Sequence, residues 1–173
     1  MLSLKIPKDI NILINENWIE IKGPLGIIKK KKSNSIKITY DSKTNILYLL
    51  NENTKINHFY ISMIYKLLWG VWKGYSIKLN IVGVGYKAFL EKDKLVLKIG
   101  FSHNVTYNIP KNITVKILNQ KLLTILITGT DFQKITQTAA EIKHLKPVEP
   151  YKGKGIRYFN EIIQLKEGKK TNV

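Results

Sequence analysis

The chain repeats its own layout at a fixed distance, and that constrains its fold more than any other feature. Gly23 and Gly100, Thr54 and Asp131, and Leu68 and Leu145 are each 77 positions apart. In both halves several strand-like runs precede one stretch of helical periodicity. A constant offset between halves of low identity is the mark of an internal duplication. The expected fold class is therefore α+β: two duplicated small domains, each a mostly antiparallel β-sheet packed on one helix. The domains should cover residues 1–75 and 76–173, joined near residues 74–77. The basic segment from about residue 146 onward extends only the second copy.

The periodicities support this. Ile10, Ile12 and Ile14 alternate with polar residues, as do Ile19 and Ile21, then Ile36 and Ile38, which predicts strands. Asn15-Glu16-Asn17 and Asp41-Ser42-Lys43-Thr44-Asn45 supply turns. The four lysines Lys29–Lys32 read as a solvated strand end or turn, with an auxiliary phosphate contact as the alternative. From Thr54, Ile56, Tyr60, Met63, Ile64, Leu67, Leu68 and Val71 recur at helical spacing, and Gly70 and Gly74 are expected to close the helix. Strands follow at residues 76–82, 105–109, 113–117 and 122–127, with a hairpin turning at Glu91-Lys92-Asp93-Lys94. Thr130-Asp131-Phe132-Gln133 opens a second helix with a capping-box-like start. Phe132, Ile135, Ala139 and Ile142 form its stripe, ending near Leu145.

Beyond that helix lies Pro147-Val148-Glu149-Pro150-Tyr151-Lys152-Gly153-Lys154-Gly155-Ile156-Arg157-Tyr158. Proline and glycine interrupt regular structure here, so the expectation is an extended arm laid on phosphates. Cations crowd the region: Lys143, Lys146, Lys152, Lys154, Arg157, Lys166, Lys169 and Lys170 face only Glu149, Glu161 and Glu167. Ile156, Tyr158, Ile162, Ile163 and Leu165 suggest a short strand or docking segment that holds the arm. The whole chain has 29 Lys+Arg against 12 Asp+Glu, a net +17. So large an excess costs stability by self-repulsion and is usually kept for a polyanion, nucleic acid first and an anionic membrane surface second. An apolar run long enough to span a membrane is absent from the sequence, and no membrane partner is expected.

Other chemistry finds no support. There is no cysteine, so thiolate sites are excluded. His58, His103 and His144 lack metal-ligand spacing. Gly83-Val84-Gly85-Tyr86-Lys87-Ala88 matches a loose dinucleotide fingerprint, but a hairpin follows where that fingerprint needs a helix. Gly23-Pro24-Leu25-Gly26 spells the GxxG of a KH loop between strands rather than helices, so it reads as a turn. Neither an enzymatic role nor a cofactor is expected.

The segment Glu149 to Tyr158 quoted above, followed by Lys166-Glu167-Gly168-Lys169-Lys170, closely resembles the signature of the large-subunit ribosomal protein L-six family. The resemblance extends to Val82-Gly83-Val84-Gly85-Tyr86-Lys87-Ala88, to Gly100-Phe101-Ser102-His103 and to Lys22-Gly23-Pro24-Leu25-Gly26. It implies a duplicated fold and a structural role in the large ribosomal subunit, with 23S-type rRNA and neighbouring ribosomal proteins as partners. It further implies proximity to the elongation-factor-binding region. The rRNA-binding residues expected are Lys143, Lys146, Tyr151, Lys152, Gly153, Lys154, Gly155, Arg157, Tyr158, Lys166, Lys169 and Lys170. Lys146-Pro147-Val148 stand where the family usually has arginines and a proline, so a bidentate guanidinium contact is not expected there. A free RNA-binding module or RNA chaperone is the alternative.

Arg157 is the sole arginine, while lysine, isoleucine and asparagine abound. Those codons point to an AT-rich genome such as an organelle's. A mitochondrial ribosome is the expected location, with plastid or bacterial cytoplasm as alternatives.

Overall fold

The computed structural model describes residues 2–33, 36–50, 54–119 and 123–168. The chain divides into two compact units, residues 1–75 with 130–132, and residues 76–129 with 133–173.

In the first unit, β1 (Leu2–Lys5), β2 (Asn11–Ile14), β3 (Trp18–Gly23), β4 (Gly26–Lys31), β5 (Lys37–Asp41) and β6 (Ile46–Leu50) precede α1 (Thr54–Trp72). Two three-stranded sheets form, in the orders β1-β6-β5 and β2-β3-β4, with antiparallel pairing. Ile19, Ile21, Leu47 and Leu49 are buried from the sheets and meet Ile64, Leu67, Leu68 and Val71 of α1 in one core. Each such side chain contributes about 1.5–3 kcal/mol by leaving water.

Two features of this unit depart from the sequence reading. β1 was not foreseen, because Leu2 and Leu4 alternate over only four residues; pairing of Leu4 with Leu47 holds it. Gly70 does not close α1 but lies inside it, where a Cβ would stand 2.0 Å from the Thr130 carbonyl oxygen. Gly74 does close it, at φ +76°, its N–H donating to the Trp69 carbonyl. Gly23-Pro24-Leu25-Gly26 is the β3–β4 turn, with Gly23 paired to Gly26.

The second unit runs β7 (Tyr75–Val82), β8 (Lys87–Glu91), β9 (Lys94–Lys98), β10 (Val105–Asn108), β11 (Ile113–Asn119), β12 (Thr124–Gly129), α2 (Phe132–His144) and β13 (Gly155–Tyr158). Shifted by 77 positions, every strand and the helix of the first unit overlap their counterparts in the second. The sheet orders match too: β10-β9-β8 mirrors β4-β3-β2, and β11-β12-β7 mirrors β5-β6-β1. The addition is β13, which pairs antiparallel with β7 and extends that sheet to four strands. The strand expected from residue 122 starts at Thr124; Leu122 lies outside the described residues.

The Gly83-Val84-Gly85-Tyr86 stretch is a turn, as its hairpin context predicts. The Tyr86 N–H donates to the Gly83 carbonyl, and Gly85 takes φ +75°. A Cβ on Gly83 would stand 2.4 Å from the Tyr86 ring, so the first glycine makes room for an aromatic side chain and not for a pyrophosphate.

Candidate nucleic-acid interface

The part of the segment expected to be an extended arm, residues 147–154, is instead a folded loop, and the short strand expected around Ile156 and Tyr158 follows it. Three backbone hydrogen bonds tie the loop down. The Ile156 N–H donates to the Lys146 carbonyl at 2.9 Å, Glu149 N–H to Lys154 at 2.8 Å, and Gly153 N–H to Glu149 at 2.9 Å. These close a turn over Pro150, Tyr151 and Lys152, with Gly153 at φ +65°, a conformation glycine adopts without a Cβ penalty. The following chain returns to this turn, since the Lys166 N–H donates to the Pro150 carbonyl. The short strand that Ile156 and Tyr158 suggested is present as β13, which begins at Gly155 despite the surrounding prolines and glycines. The edge of β7 supplies partners for its backbone groups, pairing Ile156 with Ile81 and Arg157 with Asn80.

Gly155 therefore serves the fold. It is buried at φ +140°, and a Cβ there would lie 2.6 Å from the Pro147 carbonyl oxygen. The close approach expected toward a partner is made to the chain's own backbone. Ile156 is fully buried, so removing residues 146–173 would strip a core side chain and a strand, contrary to an arm that is merely appended.

The predicted residues separate by position. Tyr151 and Lys152 are exposed at the turn, and Lys166 is exposed on the returning chain. Gly153 and Lys154 are half-buried beside them. Arg157 is half-buried on β13, with its Nε enclosed and without a hydrogen-bond partner. Lys143 is committed within the unit: its Nζ lies 2.6 and 2.8 Å from the two carboxylate oxygens of Glu161 and 4.8 Å from the Tyr158 ring centroid. Tyr158 is thus a seat for Lys143 more than a free stacking face. Lys169 and Lys170 lie outside the described residues.

The structure adds a cluster that the residue patterns did not connect. Lys146 Nζ sits 4.3 Å from the centroid of Phe101, whose ring stacks on His103 at 6.4 Å and 23°. An exposed cation over an aromatic face gains about 0.5–1 kcal/mol. Nothing in the spacing of Gly100-Phe101-Ser102-His103 announces a contact with residue 146. Within the same unit, Lys78 Nζ lies 5.5 Å from the Phe159 ring. A groove of about 610 Å³ runs past Lys143, His144, Tyr158 and Glu161.

These features give the second unit a hydrogen-bonded turn and several lysines with flat aromatic neighbours. Its exposed ammonium groups can meet anionic oxygens as point charges. The molecule is thus a strongly basic, duplicated α+β protein with a tied loop and one extra strand on its second unit.

Comparison with known proteins agrees. The family model described as Ribosomal protein L6 matches residues 82–159. The large ribosomal subunit protein uL6m of Reclinomonas americana is 44% identical over 178 residues, covering 96% of this chain and 95% of that protein. The uL6 proteins of Paraburkholderia phymatum and Protochlamydia amoebophila are 39% and 33% identical, over 92% and 97% of this chain and 91% and 94% of their own lengths. The chain belongs to the ribosomal protein L6 family.

Proposed function

We propose that this protein is a structural, non-enzymatic constituent of the large ribosomal subunit and binds 23S-type rRNA through its second unit. The observation that supports this most is the tied turn at residues 146–156, where Tyr151 and Lys152 stand exposed on a fixed backbone. A pre-organised loop loses little conformational entropy on docking. Lys146, Lys152, Lys154 and Lys166 would contact phosphates, which position a protein on RNA without reading sequence. Tyr151 offers a ring beside them. Family membership and the net charge of +17 point the same way.

In this reading the second unit lies near the elongation-factor-binding region, among neighbouring ribosomal proteins, and the ribosome is mitochondrial. The similarity to a protein named uL6m and the near-absence of arginine support the organelle.

Sedimentation of the endogenous protein tests the role. It should co-migrate with the large subunit and stay there after a salt wash that removes loosely bound factors, in a mitochondrial fraction. Migration with free RNA or at the top of the gradient would favour a chaperone outside the ribosome and overturn the proposal.

A further inference from the structure

The first unit carries a second basic surface that the loop above does not explain. Ile12, Ile19, Ile21 and Ile28 of the β2-β3-β4 sheet are buried in the core. Side chains alternate along a strand, so the residues between them line the opposite face. Register arranges these in three cross-strand rows: Asn11, Lys22 and Ile27; then Leu13, Glu20 and Lys29; then Trp18 and Lys31. Each row holds one lysine, and successive rows lie about 7 Å apart along the strands.

The face has one acid, Glu20, and it is engaged by Lys29 Nζ at 2.9 Å. Lys22 and Lys31 are exposed and make no ion pair among the described residues. Trp18 is 50% exposed, on the central strand directly across from Lys31. A notch of about 250 Å³, lined by Asn15, Trp18, Glu20 and Lys29, opens beside the indole.

Charge decides which partner fits. The apolar side chains Leu13, Trp18 and Ile27 fall in different rows and each has a lysine in its own row, so ammonium groups are interleaved with the apolar side chains across the face. Docking an apolar protein surface here would desolvate those ammonium groups without compensation. A chain of phosphates carrying flat bases matches both features, because base stacking on aromatic rings and a basic track are how unpaired strands are held. We propose that the outer face of the β2-β3-β4 sheet binds an unpaired stretch of RNA, with Trp18 stacking a base and Lys22 and Lys31 meeting phosphates on either side. Glu20 holds Lys29 in place between them. The site shares the RNA partner proposed above but none of its residues.

The full-length chain is titrated with a fluorescein-labelled, unstructured oligouridylate and photocrosslinked to it. The Trp18 peptide should carry the crosslink, and should still do so when Lys152 and Lys154 are both alanine. Trp18→Ala should weaken binding about tenfold, whereas Trp18→Phe, which keeps a ring, should retain most of it. Changing Lys22 and Lys31 together to alanine should reduce the log–log salt slope by about 1.4 units. An absent Trp18 crosslink with unchanged affinity and slope would overturn the site. So would displacement of the RNA from Trp18 by oligoglutamate at equal charge, which would mark an acidic protein as the partner. Should Trp18→Ala fail to fold, the phenylalanine and lysine variants decide. Weakening by the loop variant alone removes this site and leaves the second-unit interface standing; weakening by the sheet variants alone does the reverse.

Discussion

Lys143 and Glu161 form a two-point ion pair that ties the last turn of α2 to the chain beyond β13. Lys143 Nζ donates to both carboxylate oxygens, at 2.6 and 2.8 Å, and the second oxygen also accepts the Tyr158 backbone N–H at 3.0 Å. Both side chains are about 30% exposed. This pair makes a lysine expected to face phosphate into a brace between α2 and the chain beyond β13.

The brace should be visible in acid. Lys143 first, and the Tyr158 N–H second, hold the Glu161 carboxyl below the usual glutamate range. A depressed carboxylate contributes stability that is present above its unfolded-state pKa and is lost as pH falls through the folded one. Partial exposure limits the pair to about 0.5–1 kcal/mol. Glu161→Gln should therefore be slightly less stable at neutral pH and should lose less on acidification than the parent. Urea unfolding at neutral and acid pH measures both, and parallel curves would show the pair to be inert.

Gly155→Ala tests whether that glycine serves the fold. Its φ of +140° and a Cβ position 2.6 Å from the Pro147 carbonyl oxygen combine backbone strain with a clash against main chain that has no rotamer to yield. Roughly 2–3 kcal/mol should be lost, with β13 detaching first. Amide exchange at Ile156, which pairs with Ile81, should rise more than at α2 positions such as Ile142. A stable variant that lost only RNA affinity would return the glycine to the interface.

Tyr107 is predicted to govern the alkaline limb. Burial first, and its hydrogen bond to the Glu141 carboxylate second, push the phenol up to about 12. A raised folded-state pKa contributes stability fully present below the unfolded value near 10, and this is lost as pH rises toward about 12. Tyr107→Phe should flatten the fall in stability across that window. A slope identical to the parent's would mean that the phenol titrates normally.

The sequence was informative wherever a feature is local or repeats. Ile19 and Ile21, or Leu95 and Leu97, announce strands by alternation, and the offset of 77 positions carries over strand by strand into matching sheet orders. It was less informative where tertiary contact decides. Gly70 looks like a helix stop, yet it is an interior residue required by the approach of Thr130. Gly155 and Arg157 belong to a strand because the open edge of β7 gives their backbone a partner. Lys146 and Phe101 are 45 positions apart, and no periodicity could bring them together.

The cations of the second unit should not contribute equally to rRNA binding, and their ranking follows from their partners. Lys152 is exposed and makes no ion pair among the described residues, so Lys152→Ala should reduce the log–log salt slope by about one unit. Lys154 is half-buried but equally without an ion pair, and its alanine variant should approach the same value. Lys143 already neutralises Glu161, and a phosphate would have to compete with a carboxylate held at two points. Lys143→Ala should thus change the slope by clearly less than one unit while costing stability. Adding Glu161→Gln to the parent frees that ammonium and should raise the slope. Titration of the parent and the four variants against one rRNA fragment over a series of salt concentrations measures the ranking. Equal slopes for Lys143→Ala and Lys152→Ala would mean that the ion pair opens on binding.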